Sequence, residues 1–133
     1  MAGYSGTPLI KKLGIKPDDK ILFVNEPASI YKDLGTLPTV ESGKIKTHYD
    51  YVHYFTREKS DLEKFFPEAK KVLDKNGMIW ISWPKKSSGV ATDLDENIIR
   101  DIGLAEGLVD VKVAAIDAIW SALKFVYRVQ DRS

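Results

Sequence analysis

A chain of 133 residues with a net charge of +1 and no cysteine is sized for one α/β domain, residues 1–133, whose core needs no covalent staple. The missing thiols exclude disulfides, cysteine zinc sites, iron–sulfur clusters and thiolate nucleophiles, and they suit a reducing cytoplasm, the expected location. So small a charge gives no electrostatic case for nucleic acid or an anionic membrane, no apolar run approaches the roughly 20 residues that span a bilayer, and no secretory leader is visible.

In chain order, Thr7-Pro8 reads as a helix start, Thr as cap and Pro at the first helical position. Leu9, Ile10 and Leu13 give that helix a small apolar face, and Gly14 can end it. Lys16 to Asp19 is turn chemistry. Ile21 to Val24 is an unbroken apolar run, the pattern of a strand covered on both faces. Pro27 to Leu34 suits a short helix stopped by Gly35. Residues 36–48 read as a loop with a brief edge strand at Lys44–Thr47, and Asp50 to Thr56 reads as the next strand.

Ser60-Asp61-Leu62-Glu63 matches a capping box. Leu62, Phe65, Phe66, Ala69 and Leu73 fall on one face of the helix that follows. Pro67 should kink or divide this helix, and Asn76-Gly77 should end it. Met78 to Trp83 is a second strongly apolar strand. Pro84 to Gly89 is a loop, and Asp93 to Glu96 reads as a second capping box. Leu94, Ile98, Ile102 and Ala105 mark the buried face of the next helix, which Gly107 ends. Val109, Val111, Val113 and Ala115 alternate as in a strand, as do Leu123, Phe125, Tyr127 and Val129. The short break near Ala118-Ile119 makes these two runs an antiparallel hairpin, although it contains no Gly or Asn. Strands separated by helices need crossovers and pair in parallel. The expectation is an α/β, doubly wound, mainly parallel Rossmann-like sheet ending in an antiparallel hairpin.

That order, over roughly residues 20–129, resembles the second half of a class I methyltransferase, an enzyme that uses S-adenosylmethionine. The chain is also similar to a small bacterial family to which no activity is assigned. The matching segments are Ala2–Leu9, Lys11–Gly14, Trp83–Lys86, Ser88-Gly89, Thr92–Leu94, Leu108–Lys112 and Trp120-Ser121. The resemblance implies a truncated methyltransferase-like fold. The methyltransferases carry a Gly-rich turn after the first strand, so that backbone can approach the cofactor. Here Val24 is followed by Asn25-Glu26-Pro27-Ala28-Ser29, without glycine. The acidic residue that holds the ribose belongs at the end of a second strand, which here is shortened to a loop. Cofactor binding in the family's manner is therefore not expected, and no cofactor is assigned.

Ligands of open α/β sheets favour the crevice at the carboxyl ends of the strands. The expected order brings Asn25, Glu26, Thr56, Arg57, Trp83 to Gly89 and Asp117 to Trp120 to that edge. Lys85, Lys86, Ser87 and Ser88 are candidates for holding a small phosphate or carboxylate, helped by the helix that follows. The glycine spacing is not that of a P-loop. Trp83 and Trp120 are candidates for an aromatic floor, or else for core or rim positions. Glu26 and Asp117 are either paired carboxylates across the crevice or solvated rim charges. His53 reads as a half-buried structural residue, His48 as a loop residue, and two histidines without patterned carboxylates give no metal site. Ser121 lacks the surroundings of a nucleophile.

Three functions remain open. The first is a non-catalytic domain binding a small anion or a protein partner. The second is an enzyme at the same crevice, with Glu26 or Asp117 as base and Lys85 or Lys86 as clamp. The third is a structural protein forming homo-oligomers through Tyr49, Tyr51, Tyr54 and Phe55.

Overall fold

The computed structural model describes residues 8–35, 40–42 and 48–132. Four helices and six strands follow one another: α1 (Leu9–Leu13), β1 (Ile21–Val24), α2 (Ile30–Leu34), β2 (Val40–Ser42), β3 (Tyr49–Phe55), α3 (Lys59–Val72), β4 (Leu73–Pro84), α4 (Glu96–Ala105), β5 (Leu108–Ala115) and β6 (Trp120–Tyr127). They form one sheet of order β2-β1-β3-β4-β6-β5. The pairs β1–β2, β1–β3 and β3–β4 are parallel, and β6 runs antiparallel to both β4 and β5. The expected doubly wound sheet with its terminal hairpin is therefore present.

The apolar runs sit where their pattern requires. Ile21 and Phe23 of β1 point to one face of the sheet, with Tyr51, Trp80, Leu13 of α1 and Ile30 of α2. Leu22 points to the other face, with Val52, Ile79, Ile81 and the apolar sides of α3 and α4. Gly103 lets α4 lie directly on β6, since a Cβ there would stand 2.0 Å from Phe125 Cε1. Gly77 serves a similar end within β4, where a Cβ would meet the Asp50 carbonyl oxygen at 2.9 Å.

Several local expectations change. The 36–48 segment contains β2 at Val40–Ser42, paired with β1; the suggested strand at Lys44–Thr47 and the Thr7 cap lie outside the described residues. Pro8 is the N-cap of α1 rather than its first helical residue. Helix α3 begins at Lys59 without a Ser60–Glu63 box and passes Pro67 without interruption. It ends at Val72, and Asn76-Gly77 belongs to the long strand β4.

Helix α4 is capped by Asp95, whose Oδ1 accepts from the Ile98 amide at 2.8 Å. Asp93 instead accepts from the Lys59 amide at 2.8 Å and so serves the start of α3. With this start, Ile99 and Gly103 are the buried residues of α4, Ile98 and Ile102 are half-buried, and Ala105 is exposed. Strand β6 stops at Tyr127, leaving Val129 exposed in a 3-10 turn.

The hairpin closes without Gly or Asn because Asp117 Oδ1 accepts from the amides of both Ile119 and Trp120, each at 2.8 Å. Tyr49, Tyr51, Tyr54 and Phe55 offer no association face. Strand β3 lies inside the sheet between β1 and β4, and these four side chains are buried on its two faces.

Ile81→Ala should lower unfolding free energy by about 2–5 kcal/mol through lost burial and a cavity. Gly103→Ala should cost at least about 1–3 kcal/mol through overpacking against Phe125, despite the better helix propensity of Ala. Urea denaturation measures both. A neutral Gly103→Ala would mean that α4 is free to ride further from β6.

Candidate functional site

Strand β1 has β2 on one side and β3 on the other, so the chain's winding reverses there. Past β1 the chain turns to α2 on one face, and past β3 it turns to α3 on the other, the arrangement that opens a crevice between the two strand ends. Asn25, the first residue past β1, has a backbone φ of 59°. The left-handed region is unfavourable for most side chains, and Asn tolerates it better than others. Beyond β3, the Thr56 amide donates to the Ser82 carbonyl at 3.1 Å, and Thr56 Oγ1 accepts from the Glu58 amide at 3.1 Å. The Thr92 hydroxyl donates to the Arg57 carbonyl at 2.6 Å. With the Asp93–Lys59 bond, these contacts join the loop after β3 to the loop before α4.

The resulting cleft, of about 290 Å³, is lined by Asn25, Phe55, Thr56, Arg57, Glu58, Asp61 and Trp120. A neighbouring hollow of about 580 Å³ shares Arg57 and Glu58 and adds Ser60, Ala91, Thr92 and Asp93. Among the described residues, no carboxylate lies within salt-bridge distance of the Arg57 guanidinium. Trp120 meets Phe55 edge-on at 5.2 Å, so the cleft has a cation, two carboxylates, an amide, a hydroxyl and one aromatic wall.

Of the residues singled out in the sequence, Asn25, Thr56, Arg57 and Trp120 are brought together in this cleft. Glu26 lies beside it in sequence and accepts a hydrogen bond from the Tyr31 hydroxyl. Burial and the Glu26 charge raise the Tyr31 pKa, so the phenol stays protonated at neutral pH. Asp117 is occupied in closing the hairpin.

Trp83 does not share a floor with Trp120. It is buried on the α3–α4 face, whereas Trp120 packs against the cluster on the α1–α2 face. Lys85, Lys86, Ser87 and Ser88 form a tight turn that is not among the residues lining the cleft. In that turn the Lys85 amide donates to the Ile119 carbonyl at 2.8 Å. Ser88 Oγ donates to the Lys85 carbonyl and accepts from the Val90 amide. Ser121 is a half-buried strand residue opposite Trp83. His48 lies at the other end of the sheet, beside Lys70, Lys75 and Tyr127.

Sequence reasoning missed the partners of His53. The ring is fully buried, with the Tyr51 hydroxyl 2.9 Å from Nδ1 and Ser82 Oγ 2.6 Å from Nε2. Phe55 stacks on it at 4.3 Å. Burial pushes the His53 pKa down to about 3, so the imidazole is neutral, one nitrogen donating and one accepting. The i, i+2 spacing of Tyr51 and His53 was a legible signal for the first contact; nothing in the sequence marked Ser82. None of the three reaches solvent, so their hydrogen bonds satisfy one another within the sheet.

No family model and no curated protein matches this chain, but solved structures do. A SAM-dependent methyltransferase from Aquifex aeolicus superposes with a TM-score of 0.63 at 15% identity, covering 88% of this chain and 86% of its own. The fold is methyltransferase-like. A TehB-like SAM-dependent methyltransferase from Corynebacterium glutamicum gives a TM-score of 0.59 at 10% identity, over 90% of this chain and 85% of that one. Magnesium protoporphyrin IX methyltransferase (ChlM) from Synechocystis PCC 6803, with bound SAH, gives 0.54 at 15% identity and 76% of this chain. This methyltransferase-like chain spans 56% of the length of ChlM. At such identities the likeness is one of fold and says nothing about the ligand.

The buried imidazole has a consequence for stability. The folded pKa of His53, about 3, lies below its ordinary value of 6.5. Between these values the unfolded chain binds a proton that the folded chain does not. The contribution is complete above pH 6.5 and is lost as the pH falls towards 3, at up to roughly 1.4 kcal/mol per pH unit. Urea unfolding of wild type and His53→Gln from pH 7 to 4.5 measures it. The wild type should show the steeper fall, by close to one proton, and equal slopes would contradict a neutral buried histidine.

Proposed function

We propose that this chain is a small-molecule binding domain on a methyltransferase-like scaffold, with its ligand in the cleft between the ends of β1 and β3. The observation that carries this reading is Asn25, a non-glycine residue held at φ 59° where the winding of the sheet reverses, and lining the cleft. Backbone of this kind costs free energy and concentrates at ligand sites. The lining also suggests the ligand's chemistry. Arg57 suits a carboxylate or phosphate, Glu58 and Asp61 suit an amino group, and Trp120 suits an apolar body. A small zwitterion satisfies all three.

S-adenosylmethionine, the cofactor that the fold brings to mind, does not fit the turn after β1. Asn25, Glu26, Pro27, Ala28 and Ser29 carry side chains where the backbone must come close to that cofactor, and the Tyr31–Glu26 hydrogen bond ties the turn to α2.

Mass spectrometry of small molecules carried through native purification tests the proposal. A zwitterionic compound should accompany wild-type protein and be lost from Arg57→Ala. Equal recovery from both proteins would remove Arg57 from the site, and a compound with no anionic group would remove the reading. Calorimetry with S-adenosylmethionine should show no binding in the micromolar range, and micromolar affinity would overturn the assignment.

A further inference from the structure

A second charged feature lies away from this cleft, on the α1 face of the hairpin. Lys124 and Lys112 stand directly opposite each other on β6 and β5. The Lys112 ammonium donates to the Lys12 carbonyl at 2.9 Å, and the Lys12 ammonium donates to the Ala115 carbonyl at 3.0 Å. Lys124 Nζ lies beside Gly14, 3.9 Å from where a Cβ on that residue would stand. Lys16 follows two residues later and acts electrostatically on Lys124. Among the described residues, no carboxylate is within salt-bridge distance of Lys12, Lys16, Lys112 or Lys124. Asp19 accepts from the Lys16 backbone amide.

Like charges directly opposite each other on a sheet are destabilising, and one member of this pair is also partly withdrawn from water. Lys124 is half-buried and has no hydrogen-bond partner among the described residues. Burial is the main cause lowering its pKa, followed by Lys112 and Lys16. A lysine on an outermost strand is a common device against edge-to-edge pairing, which accounts for Lys112 on β5. It does not account for Lys124, because β6 has β4 on one side and β5 on the other.

We propose that Lys112 and Lys124 form a binding site for a phosphoryl group. The ammonium groups of Lys112 and Lys124 come from two strands to the end of α1 with no carboxylate within salt-bridge distance among the described residues, and a compact oxyanion with about two negative charges would relieve their repulsion. Ammonium groups suit it as point charges whose donors can turn to meet its oxygens. The group can belong to free phosphate or to a phosphate monoester.

Thermal unfolding in chloride and in phosphate, at fixed ionic strength, tests the site. Wild type should gain about 5 °C at a phosphate concentration ten times the dissociation constant. Lys124→Met keeps the apolar stem and removes the charge. It should melt higher than wild type in chloride and lose the response to phosphate. Lys112→Gln should lose most of the response, and because this side chain is exposed it decides the matter if Lys124→Met fails to fold. Lys86→Ala, at the carboxyl end of the sheet, should respond as wild type does. Repeating the scan with glycerol 2-phosphate separates the sources. A matching rise assigns the site to a phosphate monoester, and a rise with inorganic phosphate alone assigns it to the free ion. No rise in wild type with either compound overturns the proposal. An equal rise in wild type, Lys112→Gln and Lys124→Met overturns it too, as does loss of the response in Lys86→Ala.

Discussion

Trp80 is buried in the middle of β4, and its indole N–H has one partner, the Leu13 carbonyl at the end of α1, at 2.9 Å. Leaving that N–H unpaired would cost on the order of 1–3 kcal/mol, so the bond fixes where α1 crosses the sheet. The same demand acts along β3 and β4, which are covered on both faces. His53 meets it by bonding to Tyr51 through one ring nitrogen and to Ser82 through the other. The central strands thus carry a polar row whose members satisfy one another within the apolar layer.

The two faces of the sheet are covered unequally. Helices α3 and α4, of 14 and 10 residues, lie on one face; α1 and α2, of 5 residues each, lie on the other. Short helices leave the hairpin side of their face thinly covered. Lys112 and Lys124 occupy that ground, with their ammonium groups close to the end of α1. At the carboxyl edge a different arrangement holds, in which the loop after β3, which carries Arg57, is bonded to the loop before α4.

The strands were legible because Ile21–Val24 and Met78–Trp83 are apolar without interruption, a pattern that only burial on both faces explains. The helix starts were less so. A capping carboxylate was sought a few residues from the amide it serves, yet Asp93 serves Lys59, 34 residues away in sequence. Pro67 was read by a local rule that α3 does not obey. Asn25, Thr56, Arg57 and Trp120 could be placed near the cleft from topology alone. Glu58 and Asp61 could not, since they look like ordinary residues at the start of a helix. Lys124 alternates with Leu123 and Phe125 in the usual way of a strand with one wet side. Its position opposite another lysine depends on the hairpin register, which a bulge between Asp110 and Lys112 shifts.

The bond from Asp93 to the first amide of α3 acts together with those from Thr92 and Asp93 to the Arg57 carbonyl. Residues 57–59 and 92–93 therefore share their hydrogen bonds, and neither segment can peel away from the sheet alone. In hydrogen-exchange terms the two belong to a single opening unit, although more than thirty residues separate them. A molecule that grips Arg57 would slow exchange at the entrance to α4 as well as at the start of α3. Occupancy of the crevice would thus be felt in a loop that the bound molecule never touches.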